Sequence, residues 1–240
     1  MGERQNSSLT HLQFYLSAEH ACGYLPERIA RSQVASPAQA VNTAVYSELL
    51  QHGFRRSGLH TYRPYCTDCA ECIAVRVRVN DFIASRTQRR AYKRNAALHV
   101  GLQGLHFEVE HYNLYKRYQS ARHTGGAMDQ DDPQQFEDYL LASRVDTRLV
   151  VFNEGGVLRM VSVIDSVVDG LSAVYTFFEP DLPGCSFGVF NVLWQIELVR
   201  RLGLPYLYLG YWVKDSRKMA YKSQYQPLEG LIDGVWQTIL

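Results

Sequence analysis

The segment RLVVFNEGGVLRMVSVIDSVVDGLSAVYTFFEP, residues 148–180, divides into apolar runs joined by turn signals. Arg148–Phe152, Val157–Val168 and Leu171–Phe178 are rich in β-branched and aromatic residues, as strands are. Glu154-Gly-Gly and Asp169-Gly, which separate them, are hairpin signals. Downstream, Phe187–Leu202 is amphipathic at helical spacing and closes on Gly203. Tyr206–Gly210 then alternates tyrosine with leucine, the pattern of a short buried strand. Antiparallel strands, a helix and a further strand form the element order of an acyltransferase-like α+β half.

Upstream, Tyr62–Asn95 reads YRPYCTDCAECIAVRVRVNDFIASRTQRRAYKRN. Cys66, Cys69 and Cys72 are evenly spaced. With Cys22 they make four thiolates, the number that tetrahedral zinc or an iron–sulfur cluster takes. Buried, inert thiols are the alternative. Ile73, Val75, Val77 and Val79 share one face of a strand, with Arg76 and Arg78 on the other. Were that face to line a cleft, the guanidinium forks would suit a carboxylate. A helix follows, with Ser85 and Gln88 in capping-box register. Its Arg86, Arg89, Arg90, Lys93 and Arg94 have no acid at i±4, so the cations are free to meet phosphate.

This charge is local. The whole chain has 25 Lys and Arg against 24 Asp and Glu, so the remainder is net acidic. With 46% hydrophobic residues, its 240 residues can bury an ordinary core. No apolar run is long enough to span a membrane, and the N-terminus lacks a signal-peptide layout. A cytoplasmic location follows as the expectation, which argues against a disulfide framework for the five cysteines. Cys185 reads as an ordinary free thiol. No feature sets an oligomeric state.

Elsewhere, Gly23 and Pro26 imply a tight backbone, and Ser36-Pro37 a helix start that leads into the stripe Val41, Val45 and Leu49. Gly58–Tyr65 and part of Leu98–Glu110 read as strands. Helices are expected from about His111 to His123 and from Asp132-Pro133, with a loop beginning His123-Thr-Gly-Gly between them. Lys214–Gln224 reads as a last helix. Around it, Tyr211, Lys218, Tyr221 and Lys222 offer donors to a carbonyl oxygen or to phosphate. The organisation expected is α+β: a cysteine-containing N-terminal α/β domain over 1–100, then the acyltransferase-like domain over 101–240. No Ser/His/Asp order, Walker loop or dinucleotide fingerprint occurs.

Several of these motifs are similar to those of one family. They are Cys22-Gly-Tyr-Leu-Pro, Tyr62-Arg-Pro with the cysteine series and Arg76, and Ser85-Arg-x-x-Arg-Arg. Further along come Tyr175-Thr-Phe-Phe-Glu-Pro, Asn191-Val-Leu-Trp-Gln-Ile-Glu, Tyr208-Leu-Gly-Tyr-Trp-Val and Ser216-Arg-Lys-Met-Ala-Tyr-Lys. Together they resemble the arginyl-tRNA–protein transferase family, in its leucyl-specific bacterial branch of aspartate/glutamate leucyltransferases. The resemblance runs in order along nearly the whole chain.

That resemblance implies transfer of leucine from leucyl-tRNA to the α-amine of proteins beginning with Asp or Glu, which creates an N-degron for proteolysis. It also implies a GNAT-like (acyl-CoA N-acyltransferase-like) C-terminal half. Arg76 or Arg78 would then bind the acceptor's acidic side chain, and Arg86, Arg89, Arg90, Lys93 and Arg94 the tRNA phosphates. Tyr211, Lys218 and Tyr221 would orient and polarise the aminoacyl ester, with Lys222 binding substrate. An activated ester needs no cofactor, so any metal on Cys22, Cys66, Cys69 and Cys72 would be structural. The eukaryotic branch has Cys-Gly-Tyr-Cys where this chain has Leu25 in the last place, and an adjacent Cys-Cys pair where it has the spaced series. This bacterial pattern implies a leucyl rather than an arginyl donor. Competing readings are arginyl transfer, a non-catalytic RNA-binding protein with a structural metal, and an acetyl-CoA-dependent acetyltransferase. The last would need a glycine-rich pyrophosphate loop, and only Pro183-Gly184 and Gly188 lie near such a place.

Overall fold

The alternation in residues 148–178 places successive side chains on opposite faces of a sheet, and helices cover both faces. A computed structural model describes residues 8–122, 132–182 and 184–240. The N-terminal part contains β1 (Gln13–Leu16), β2 (His20–Ala21), β3 (Ile29–Ala30), β4 (Ser32–Ser36) and α1 (Thr43–Gln51). Next come β5 (Arg55–Ser57), β6 (His60–Pro64), β7 (Ile73–Arg78), α2 (Arg86–Arg94) and β8 (His99–Gln103). Then follow α3 (Val109–Arg122), α4 (Pro133–Phe136), β9 (Thr147–Glu154), β10 (Val157–Val167) and β11 (Gly170–Phe178). The chain ends with α5 (Phe187–Arg201), β12 (Tyr206–Trp212), β13 (Leu228–Ile232) and β14 (Val235–Thr238).

The main sheet has eight strands in the order β14-β13-β7-β12-β11-β10-β9-β8. It is mixed: β11 and β12 run parallel, while its other described pairs are antiparallel. On one face, Val150, Phe152, Met160 and Ile164 pack with Phe190, Leu193 and Ile196 of α5. On the other, Leu149, Val151, Val161 and Val163 pack with Tyr112, Leu114 and Tyr115 of α3 and with Phe136. Each such fully buried side chain contributes about 1.5–3 kcal/mol. A smaller sheet, β1-β4-β6-β5, packs with α1 around Tyr46 and Leu49, and Val167 and Tyr208 reach into the same cluster. The architecture is therefore mixed α/β around one large sheet.

Local signals gave several elements their positions. Both capping-box bonds of α2 form: Gln88 N donates to Ser85 Oγ at 3.3 Å, and Ser85 N to Gln88 Oε1 at 2.8 Å. Gly155 and Gly156, both at positive φ, turn β9 into β10. Other expectations need correction. Ser36-Pro37 opens a short 3₁₀ turn, and α1 starts only at Thr43, where Asn42 accepts a bond from Val45 N. Arg55–Ser57 is a strand that hairpins with β6, and β13–β14 form a C-terminal hairpin. Lys214–Gln224 is a series of tight turns with a 3₁₀ segment at Ala220–Gln224 rather than a helix. These turns put Lys222 and Tyr225 inside while Arg217 and Lys218 stay outside. The main sheet also crosses the expected boundary at residue 100, because β7 lies between β12 and β13. The expected loop from His123 lies outside the described residues. Among the described residues, no helix is long and apolar enough to cross a membrane.

Candidate active site

The site begins where the sheet splits. β11 and β12 pair only at Gly170↔Tyr206, Leu171↔Leu207 and Ser172↔Tyr208; beyond that point their registers end. β12 shifts register against β7 between Tyr208 and Gly210, and Gly210 sits at φ 78°. The carbonyls of Ala173 and Val174 on β11 thus lose a strand partner. Arg55 takes both, its Nη2 donating at 2.7 and 3.3 Å. From this split opens a cleft of about 1640 Å³, with Tyr118, Thr176, Asn191, Lys218, Tyr221 and Lys222 among its lining residues.

Neighbouring arginines of β5 go to opposite sides of the strand. Arg56 is buried and grips Asp165 with two bonds, Nη2 to Oδ1 at 2.6 Å and Nε to Oδ2 at 2.8 Å. Arg55 turns to the split between β11 and β12 instead, and both arginines are among the residues lining the cleft. No carboxylate pairs with Arg55 among the described residues. Its surroundings are the tyrosines Tyr24, Tyr46, Tyr62 and Tyr211. A guanidinium does not lose its proton in a protein, so this is a fixed positive charge.

The expected catalytic tyrosine and lysines divide by position. The Tyr211 hydroxyl is buried and donates to Gly53 O at 2.8 Å, with Tyr62 O at 3.2 Å. Tyr211 is among the lining residues, with its hydroxyl committed to backbone carbonyls. Lys218 and Tyr221 line the cleft and are exposed. Lys222 is buried, 3% exposed, and its Nζ donates to Tyr211 O and to Met219 Sδ. Burial, reinforced by Arg55, holds its ammonium well below the usual lysine range.

Arg76 and Arg78 are not cleft residues. β7 is an interior strand, so its arginine face is covered too. Arg76 Nε donates to Glu229 at 2.7 Å, and Nη1 to Gln51 Oε1 at 3.1 Å and Tyr208 Oη at 3.2 Å. The Tyr206 and Trp236 rings enclose its guanidinium, with centroids at 3.6 and 4.3 Å. Arg78 reaches Asp81 at 3.0 Å. Glu229, long-range and invisible to local patterning, holds the Arg76 fork, while Arg78 meets an acid three residues on.

Cys22, Cys66, Cys69 and Cys72 all line the cleft and are half-buried free thiols. Among the described residues, no group of three or more His, Cys, Asp or Glu side chains is placed to hold a metal ion. The expected zinc or cluster is thus without a ready ligand set. Burial, with Cys22, Cys66 and Cys69 close by, pushes the Cys72 thiol up to about 12.

The basic helix forms as expected, with Arg86, Arg89, Arg90, Lys93 and Arg94 exposed. None of the five has an ion-pair partner among the described residues. Tyr92 packs on Phe190 of α5 at 5.3 Å between centroids. Arg94 donates to Gly184 O, and Asn95 Nδ2 to Cys185 O at 2.7 Å. These bonds hold α2 against the start of α5, whose Ser186, Phe187 and Gly188 line the cleft. Ser186 makes no side-chain cap, so the first-turn amides of α5 stay open. The basic helix is therefore held beside the mouth of the cleft. Among the described residues its one lining carboxylate, Glu179, is held by Arg117 at 2.8 Å, while Arg28, Arg31, Arg55, Arg122 and Lys218 contribute positive charge. The arrangement suits an anionic polymer outside and an acidic group within.

Sequence reasoning missed Arg55. Its only signal was the Arg55-Arg56 pair between Gly53 and Gly58; the split it fills is made by residues over a hundred positions away.

The comparisons with known proteins agree with this geometry. Residues 20–90 match the model for the N terminus of arginine-tRNA-protein transferase, and residues 110–232 the model for its C terminus. The chain is 54% identical over 228 residues to the aspartate/glutamate leucyltransferase of Nitrosospira multiformis, covering 95% of this chain and 91% of that protein. It is 56% identical over 228 residues to the protein of the same name from Thiobacillus denitrificans, covering 95% of each. Among solved structures, L-PGS from Bacillus licheniformis matches with a TM-score of 0.50 at 14% identity, over 69% of this chain and 57% of that one. That match shows a shared fold.

Proposed function

The chain belongs to the arginine-tRNA-protein transferase family, and from that premise we propose that it transfers leucine from leucyl-tRNA to the α-amine of proteins beginning with Asp or Glu. It is an aminoacyltransferase. The observation that carries the reading within this molecule is the pairing of an exposed basic helix, held by Arg94 and Asn95 against the start of α5, with a cleft lined by arginines and lysines. The splayed β11–β12 pair, with the α5 N-terminus at its mouth, supports a GNAT-like acyltransferase fold.

The exposed cations of α2 hold the tRNA backbone, which positions the molecule without reading its sequence. The 3′ end then enters past Gly184 and the open amides of α5, and Lys218 and Tyr221 orient the aminoacyl ester. In the transfer the acceptor's α-nitrogen bonds to the leucyl carbonyl carbon, and the ester bond to the terminal ribose breaks. The nitrogen gives up a proton, and the ribose oxygen leaves as a hydroxyl. The ester is already activated, and an α-amine of pKa about 8 is partly neutral at cellular pH. Positioning and carbonyl polarisation thus carry much of the rate. Lys222 Nζ, bonded to Tyr211 O and Met219 Sδ, steadies the cleft wall beside Lys218 and Tyr221. The chemistry calls for no cofactor. The product, bearing N-terminal leucine, would be an N-degron.

The direct test is single-turnover transfer. Labelled leucyl-tRNA, bound to the protein and mixed with a peptide beginning with Asp, is expected to give labelled peptide. The same peptide with an acetylated N-terminus should receive nothing. Equal labelling of both would refute attack by the α-amine.

A further inference from the structure

Arg55, like the half-buried Arg31 and Arg63, has no acid among the described residues, whereas the arginines packed around it in the fold do. Arg56 has Asp165, Arg76 has Glu229, and Arg200 has Glu197. The exposed Arg78 and Arg117 also have their acids. Arg55 has only the backbone carbonyls of Ala173 and Val174, both on Nη2, while Nε and Nη1 have no partner among the described residues. A half-buried guanidinium with two nitrogens unbonded at the wall of an open cleft is available to an anion.

The surrounding backbone is shaped to keep it there. Gly210 takes a positive φ, and an ideal Cβ at that position would overlap the Arg55 guanidinium. β12 gives up regular register and β11 gives up two strand bonds at the same point. The split that forms the cleft is thus also the seat of one cation, which Tyr24, Tyr62 and Tyr211 flank. Lys222, a neighbouring cationic side chain on this wall, is bound to Tyr211 O.

We propose that Arg55 is the anchor for the side-chain carboxylate of the acceptor's first residue, Asp or Glu. The inference rests on the transferase reading for its occupant, but the geometry calls for an acid in any case. The carboxylate takes Nε or Nη1, and the acceptor's α-amine is thereby brought toward the ester within the same cleft. Asn and Gln, of the same shape but without charge, are discriminated against because they leave the guanidinium unpaired.

The test compares wild type with Arg55→Gln and Arg55→Lys, using peptides that differ only in Asp or Asn at the first position. For wild type, kcat/KM is expected to favour Asp by at least about 100-fold, by the logic of a buried charge left unpaired. In Arg55→Gln that preference should collapse toward unity through a raised KM for the Asp peptide, with KM for leucyl-tRNA unchanged. Arg55→Lys, which keeps the charge but not the fork, should fall between. An Asp preference retained in a folded Arg55→Gln protein overturns the proposal; if that variant does not fold, an undiminished preference in Arg55→Lys overturns it. Calorimetry of both peptides with the protein in the absence of tRNA makes the same comparison without any transfer. A wild type that binds the Asp peptide selectively but transfers no leucine would refute the transferase reading and leave the anchor standing. Equal binding of Asp and Asn peptides by wild type would refute the anchor.

Discussion

The guanidinium of Arg55 occupies the space that a side chain at Gly210 would need. One residue is on a short N-terminal strand and the other in the bulge of β12, and the cleft opens where they meet. Gly210→Ala should therefore destabilise through both a strained positive φ and the overlap, by about 1–3 kcal/mol or more. In an Arg55→Ala background the overlap is gone, so the same change should cost less. Urea denaturation of the four proteins measures the coupling. Strictly additive costs would mean that the two residues do not compete for that space.

Asp165 is fully buried and is held by Arg56 and Thr147. Asp165→Ala leaves the Arg56 charge buried without its acid and should cost about 3–5 kcal/mol. Thermal or chemical unfolding would read this as a large loss. A loss under about 1 kcal/mol, in the range of exposed pairs, would show that water reaches Arg56 once the carboxylate is removed.

Lys222 predicts a pH dependence of stability. Its folded pKa is lowered, first by burial and then by Arg55, whereas the unfolded lysine titrates near about 10.4. Between those two values the unfolded chain holds a proton that the folded chain lacks, so stability rises with pH across that window. Lys222→Met should flatten this rise, and below the window it should be the more stable protein. Unfolding free energies from pH 6 to 9, compared as a difference between the two proteins, test this; parallel curves would contradict it.

The α2 stripe predicts a salt effect without a folding effect. Arg86, Arg89, Arg90 and Lys93 are exposed and unpaired with acids, so each change to Gln should alter stability by no more than about 0.5 kcal/mol. Each should weaken tRNA binding and lower the slope of log K against log salt by about 0.7–0.9. An unchanged slope after all four are replaced would place the tRNA elsewhere.

What was legible in the sequence was local. The Ser85–Gln88 box, the Gly155-Gly156 hairpin and the apolar periodicity of β9, β10 and α5 are each decided by residues a few positions apart. The alternation of β7 was equally visible, but its meaning was not. The arginine face suggested a ligand because Glu229, 153 residues away from Arg76, gives no local sign of its presence. Arg55 was missed for the complementary reason: what makes it a site is an absent acid and a split between two distant strands. The Lys214–Gln224 turns were read as a helix because nothing in their spacing reveals that Lys222 must reach Tyr211 O. Several motifs of the family come together around one cleft, and tertiary contacts decide which of their side chains face it.

The most direct measurement is a transfer assay that supplies radiolabelled leucyl-tRNA and arginyl-tRNA separately to matched peptides beginning with Asp, Glu, Lys or Ala. Label is expected only from leucyl-tRNA and only on the Asp and Glu peptides. Label from arginyl-tRNA, or on the Lys and Ala peptides to the same extent, would contradict the donor or the acceptor assignment. No label on any peptide, from protein shown to be folded and to bind tRNA, would contradict the transferase account itself.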